Sequence, residues 1–285
     1  MFVITGATGQ LGGAIVERLV ERVGPQQVAV SVRDPRKAQA LADRGVRVRQ
    51  GDYTEPSGLA EAFEGADQVL LVSASTHGEA ALRQHGAAIA AARDAGAGRI
   101  LYTSHQGASP TSAFAPMRDH AATEELLAGC GVAWTSLRNG FYASTAQMLV
   151  GRALDSGTLV APADGPVSWT PHADLAEAAV RVLVDGGFDG PTPALTGSEA
   201  LDLADVAGIA AELTGRPLAR VVSPDADFRA GLVARGTPDD VADLFLGMFA
   251  ASRAGEFTTV DPTLARLLDR PPTSLRDLLA PALQH

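Results

Sequence analysis

The chain predicts an α/β protein, a doubly wound parallel sheet with helices on both faces and a smaller C-terminal α/β lobe. Three observations predict it. Short apolar, β-branched runs alternate with segments of helical period through the first 138 residues, the pattern of strand–helix–strand units. Gly, Pro and Asp mark the joins, as in Gly24-Pro25 and Arg33-Asp34-Pro35. Beyond residue 138 the rhythm loosens and helical segments dominate.

A strand is expected over 2–5, where Phe2, Val3 and Ile4 form a short apolar run. Leu11, Ile15, Leu19 and Val23 then recur at helical spacing and predict a helix over 11–22. Further strands are expected over 27–32, 46–50, 68–73, 99–104 and 133–137. Helices fall between them over 36–43, 57–63, 79–95 and 119–129, with right-handed crossovers. Residues 143–152 then read as helix and 166–169 as a short strand. Asp174 is expected to cap a helix running through Leu183, with Leu175, Ala178, Ala179, Val182 and Leu183 on one face. Residues 186–197 are turn-rich, and helices follow over 202–214, 225–234, 238–250 and 261–268. The expected division is a core over 1–138, to which 170–197 return, and a smaller substrate lobe from 139–169 and 198–285.

Composition narrows the function classes. A net charge of −10 argues against nucleic-acid binding, which needs a basic face. No run approaches the roughly 20 apolar residues of a membrane helix. A strand starting at residue 2 leaves no room for a signal peptide, and Cys130 is the only cysteine, so a cytoplasmic protein without disulfides is expected. Cys130, between Gly129 and Gly131, reads as core filler. The six histidines are scattered without ligand spacing, so no metal site is expected. No GxSxG elbow for acyl transfer occurs.

The first strand leads into Gly6-Ala7-Thr8-Gly9-Gln10-Leu11-Gly12 and then directly into a helix. In this context the glycines have separate tasks. Gly6 makes the sharp turn, Gly9 admits a pyrophosphate to the backbone, and Gly12 lets helix pack on strand. The helix N-terminus offers free N–H groups and a positive dipole end. The motif therefore predicts a Rossmann-type dinucleotide-binding core, with GxxGxxG spacing in place of GxGxxG.

Arg33 follows the second strand, VAVSV, at the position that meets the adenosine ribose. A guanidinium there matches a 2′-phosphate, so NADP(H) is expected, with NADPH preferred over NADH. The alternative is a solvated turn arginine, with both cofactors binding. Asp34 precedes Pro35 and is placed to open a turn. Asp52 either accepts from the adenine amino group or makes a turn. Ser73, Ala74 and Ser75 are small enough to let backbone approach the second phosphate and ribose.

The usual short-chain dehydrogenase dyad, a tyrosine with a lysine four residues on, is missing. Tyr53, Tyr102 and Tyr142 are followed at that spacing by Ser57, Gln106 and Ala146, and Lys37 is the only lysine. Reducing a simple ketone is then difficult, because the alkoxide formed is strongly basic. A quinone gives a phenol-like product of pKa about 10 and asks for little proton donation. The protein is left mainly with aligning two flat rings.

GATGQLGG at 6–13, VRDPRKAQALADRGVRVRQGDY at 32–53, AARDAG at 91–96, YTS at 102–104, LRNGFY at 137–142, TPHAD at 170–174 and the LARLLDRPPTSLRDLL ending resemble the NmrA-like branch of the atypical short-chain dehydrogenases/reductases. Within it they resemble the bacterial NADPH:quinone oxidoreductases of the second type, with triphenylmethane reductase as a near neighbour. The resemblance runs over nearly the whole chain and implies a cleft between core and lobe. It implies a phosphate loop from Gly6 to Leu11, Arg33 at the 2′-phosphate, Ser73, Ala74 and Ser75 along the cofactor, and Arg138, Asn139, Gly140, Phe141 and Tyr142 beside the nicotinamide.

Asn139 is then a contact to cofactor or acceptor, or a cap of the strand end. Phe141 and Tyr142 form a floor for a flat ring, or belong to the core. Ser104 either touches an acceptor oxygen or satisfies nearby backbone. His105, or His120 with Glu124 one turn on, supplies a proton near neutral pH, or is a surface histidine. Acceptor choice is expected at His77 and the 105–117 loop. The expected function is reduction of a quinone or similar conjugated acceptor. The alternative is a non-catalytic NADP(H) redox sensor, and an exposed apolar helix face in the later half is a possible homodimer surface.

Overall fold

The computed structural model describes residues 1–283. In chain order the core contains β1 (Phe2–Thr5), α1 (Gln10–Val23), β2 (Val28–Val32), α2 (Gln39–Asp43), β3 (Arg47–Gln50), α3 (Leu59–Ala62), β4 (Gln68–Leu71), α4 (Glu79–Asp94), β5 (Arg99–His105), α5 (Ala115–Ala128) and β6 (Ala133–Asn139). There follow α6 (Ala143–Leu154), β7 (Thr158–Ala161), α7 (His172–Asp185), β8 (Gly190–Pro191), α8 (Leu203–Thr214) and β9 (Ala219–Val222). The chain ends with α9 (Asp225–Ala234), α10 (Asp239–Arg253), α11 (Thr263–Leu268) and α12 (Leu275–Leu283).

Seven strands pair in the order β3-β2-β1-β4-β5-β6-β8, and every pairing is parallel. Side chains alternate between the two faces. Ile4, Val30, Leu70, Leu101 and Leu137 share one buried cluster with Ile15 and Leu19 of α1 and with Leu175 and Leu183 of α7. Val3, Ala29, Val69, Ile100 and Tyr102 join the other, with Phe63, Ala88 and Leu127. Each large side chain so buried contributes about 1.5–3 kcal/mol. The chain winds outward from β1 in both directions, which opens a crevice beyond the carboxyl ends of β1 and β4.

A third cluster lies beyond β6, where Phe141, Trp169, Phe249, Phe257 and Leu275 pack together. Beside it β7 and β9 form a separate parallel pair, Leu159 opposite Arg220. This pair and α12 were not expected from the sequence. Residues 166–169, expected as a strand, make only isolated bridges around Val167 and Thr170. Helix α5 starts earlier than expected, with Pro116 in its first turn, where a missing N–H costs nothing. Helix α11, expected in the smaller lobe, packs through Leu264 and Leu268 on the α1–α7 side of the main sheet.

Asp174 does not cap α7. The helix begins at His172 after Pro171, and Asp174 lies buried inside its first turn. Its carboxylate accepts from Arg270 Nη2 at 2.8 Å and from the Thr273 amide at 2.7 Å, tying the C-terminal segment to the core.

Candidate cofactor and acceptor site

The glycine loop has the shape that its sequence requires. Gly6 adopts φ +62°, and a Cβ there would lie 2.9 Å from Val72 Cβ. A Cβ on Gly12 would stand 2.3 Å from the Gly6 carbonyl oxygen, so strand end and helix start touch. The Gly9 amide donates to the Gly6 carbonyl at 2.9 Å, closing the turn. No side chain caps α1, and the amides of Gln10, Leu11 and Gly12 have no partner among the described residues. Ala7 and Leu11 point into the core, so they offer only backbone here, whereas Thr8 and Gln10 are exposed. Unspent amides at a helix N-terminus, beside a cradle that only glycine fits, suit a phosphate group.

A cleft of about 470 Å³ extends from this loop across the sheet edge. Arg33 lines it, exposed and with no ion-pair partner among the described residues. Asp34, next in sequence, is occupied: its carboxylate takes Arg36 at 2.8 and 3.0 Å and caps the turn through the Arg36 amide. That salt bridge holds the Asp34 carboxyl below its usual range. Asp52 accepts from the Thr54 amide and hydroxyl, so one carboxylate oxygen makes a turn. Tyr53, behind it, bonds Thr5 Oγ1 at 2.6 Å and the Val72 carbonyl at 3.1 Å. Burial raises its phenol pKa.

The segment after β4 forms the facing wall, and its amides are held in sequence. Val72 donates to Thr5 Oγ1 at 2.8 Å, Ser73 to Thr103 Oγ1 at 2.9 Å, and Ala74 to His85 Nε2 at 2.9 Å. Gly78 donates to Asp119 Oδ2 at 2.9 Å, which lies 3.8 Å from His77 Nδ1. Thr103 and His85 were not expected from the sequence. They lie on β5 and α4, and no local spacing connects them to residues 73–74.

Glu124 organises the carboxyl ends of β5 and β6. One oxygen accepts from Ser104 Oγ and Ser136 Oγ, each at 2.7 Å, and from Arg138 Nε at 3.1 Å; the other takes Arg138 Nη2 at 2.6 Å. Burial alone would raise the Glu124 carboxyl, but Arg138 and the two hydroxyls outweigh it and hold it below its usual range. The Ser104 hydroxyl therefore donates to a buried carboxylate and not to backbone, and the Arg138 guanidinium pairs with the same carboxylate through Nε and Nη2.

His120 is partly buried, and its Nδ1 lies 2.8 Å from Tyr102 OH. His105 is buried, accepts from the Gly107 amide through Nδ1 at 3.1 Å, and stacks on His120. Burial pushes both imidazoles down to about 3, with the neighbouring histidines adding to the effect. Both rings therefore favour the neutral form, each with one N–H and one lone pair.

Asn139 ends β6 opposite His105, is buried, and its Oδ1 has no hydrogen-bonding partner among the described residues. Gly140 passes so close to Thr170 that a Cβ would meet Oγ1 at 2.1 Å. Phe141 lies in the third cluster, 5.0 Å from Phe257 and 5.5 Å from Trp169 between ring centres. The Tyr142 ring lies 4.4 Å from His172. Burial raises its phenol pKa, against the effect of the nearby Asn139 amide.

The description "NAD(P)H-binding" belongs to a family model that matches residues 6–185. The chain is 37% identical over 278 residues to quinone oxidoreductase 2 of Escherichia coli, covering 97% of this chain and 96% of that one. The crystal structure of the NADPH-dependent quinone oxidoreductase of Escherichia coli complexed with NADPH superposes with a TM-score of 0.92 at 36% identity, over 100% of this chain and 99% of that one. The triphenylmethane reductase of Citrobacter sp., complexed with NADP(H), superposes with a TM-score of 0.92 at 30% identity, over 99% and 100% of the two chains. No helix of the described residues is long and apolar enough to cross a membrane.

Proposed function

The chain belongs to the NAD(P)H-binding, NmrA-like family, and from that premise we propose that it is a reductase that uses NADPH to reduce a quinone or a similar flat, conjugated acceptor. Bound NADPH supplies the hydride. The chain's own residues bind, orient and exclude water. The Gly6–Gly9 turn and the free amides of Gln10 and Leu11 hold the pyrophosphate. Arg33 pairs with the 2′-phosphate, and the pinned backbone of Ser73, Ala74 and Ser75 supports the cofactor's ribose side.

Asn139 Oδ1 is a buried acceptor without a donor among the described residues, and a ligand N–H or O–H would satisfy it. It orients the reacting rings. Phe141 continues from it into the aromatic cluster while Tyr142 packs toward the α1–α7 side against His172, and the two form the apolar side of the acceptor site. Ser104, Arg138 and His120 act only in supporting this frame. Hydride addition leaves a phenolate-like anion whose conjugate acid has a pKa of about 10, so water can deliver the single proton that completes the product.

The observation that carries the reading is Arg33, an unpaired guanidinium in the same cleft as the glycine cradle. The test is initial-rate oxidation of NADPH and NADH, with and without a simple benzoquinone or naphthoquinone, against enzyme-free controls. Saturable quinone-dependent turnover preferring NADPH supports the reductase. Tight NADPH binding without turnover on quinones or dyes overturns it in favour of a redox sensor.

A further inference from the structure

The wall after β4 hangs on one imidazole that no motif announces. His85 sits on α4, 3% exposed, with both ring nitrogens engaged. Nε2 accepts from the Ala74 amide at 2.9 Å, so the ring proton is on Nδ1. Nδ1 therefore donates to Thr123 Oγ1 at 2.8 Å, and Thr123 in turn donates to the Asp119 carbonyl at 2.7 Å. The relay has a single direction, from a cleft-wall amide to the backbone of α5. A buried N–H without an acceptor would pull the wall toward water.

We propose that His85 is a positioning residue for the cofactor: through the Ala74 amide it holds the residue 72–76 wall at the distance that the bound dinucleotide requires. This rests on the assignment of the cleft to NADP(H). The ring is suited to a fixed acceptor. Tyr102 of β5 meets it edge-on at 5.2 Å. Tyr102 and His120 are titratable groups beside it, and no carboxylate among the described residues is its hydrogen-bonding partner. Burial alone keeps it neutral, pushed down to about 4, so Nε2 stays an acceptor through the neutral range.

The test compares wild type with H85L, which removes the acceptor, and H85Q, which restores an acceptor of similar reach. Amide exchange of the unliganded protein reads the wall directly, and NADPH KM and kcat read its consequence. H85L is expected to speed exchange at residues 73–76 and to raise the NADPH KM about tenfold, with kcat within about twofold. H85Q is expected to keep KM within about threefold of wild type. An unchanged KM in folded H85L, or an H85Q as weak as H85L, overturns the proposal. Should H85L fail to fold, T123V leaves the ring in place but frees its tautomer, and an unchanged KM there overturns the proposal equally. If wild type binds no NADPH, the cofactor reading fails, whereas unaltered exchange in H85L defeats the hold of His85 on the wall.

Discussion

Arg33→Ala separates the two nicotinamide cofactors by one functional group. The guanidinium is exposed, lines the cleft and has no ion-pair partner among the described residues, so its removal breaks no internal contact. Only its backbone carbonyl is used, by Gln50 at 3.4 Å, and the substitution leaves that in place. A charge-assisted contact to phosphate contributes about 2 kcal/mol. That is about 30-fold in affinity. The NADPH KM should rise by about that factor while the NADH KM stays within about twofold, because NADH has no 2′-phosphate. Asp34, the neighbouring acid, is paired with Arg36 in the turn. Added salt should narrow the wild-type preference and leave the variant unaffected, as expected for an exposed charge. The assay is initial-rate oxidation of each cofactor at fixed naphthoquinone. Equal losses for both cofactors, or none for NADPH, would refute the reasoning.

Other variants probe the frame. Gly12→Ala forces a Cβ against the Gly6 carbonyl at 2.3 Å and should cost about 3 kcal/mol of stability in urea unfolding. Gly9→Ala meets the same carbonyl at 3.3 Å and should lose NADPH affinity with little loss of stability. Glu124→Ala strands Arg138 and two buried hydroxyls and should cost about 3 kcal/mol, less than a fully buried pair because Arg138 is partly exposed; a loss under about 1 kcal/mol would speak against the hub. His85, His105 and His120 all have folded pKa values far below the ordinary 6.5, so the unfolded chain takes up protons first as pH falls. Stability is then full above about pH 6.5 and is lost toward pH 4, by up to about 4 kcal/mol per pH unit while three protons differ. Urea midpoints that stay level from pH 7 to pH 5 would contradict this.

The core was legible because its signals are local. Phe2 to Gly12 contain strand, turn and helix start within one short stretch, with Gly6 in the turn conformation and Gly12 in the close helix–strand contact that their positions implied. The later segments were legible only as helices. Strands β7 and β9 pair in parallel across about 60 residues of chain, a contact with no hairpin signature. Asp174 looked like a cap because an acid preceded an apolar helix face, but its partners are Arg270 and Thr273. Arg33, Asp34 and Asp52 stand or turn within reach of their own neighbours, so spacing informs. Ser104 was read from its strand end, Arg138 from a resemblance and His120 from a helix start. The contacts that Ser104 and Arg138 make to Glu124, and His120 to Tyr102, join different elements, so only the packed fold reveals them.

The end of β6 is stitched on two sides. Gly140 donates to the Leu195 carbonyl, Thr170 donates to that of Phe141, and the Ala143 amide returns to Thr170. Every residue of the glycine cradle, Arg33 and the pinned wall precedes that seam, yet Leu101 and Leu137 are roofed by α7, which follows it. A gene fragment stopping at Asn139 would therefore encode every residue that lines the 470 Å³ cleft and still expose one face of its sheet. Such a fragment should stay soluble only when the remainder is supplied in trans, which makes this seam a natural place to split the protein into a complementing reporter pair.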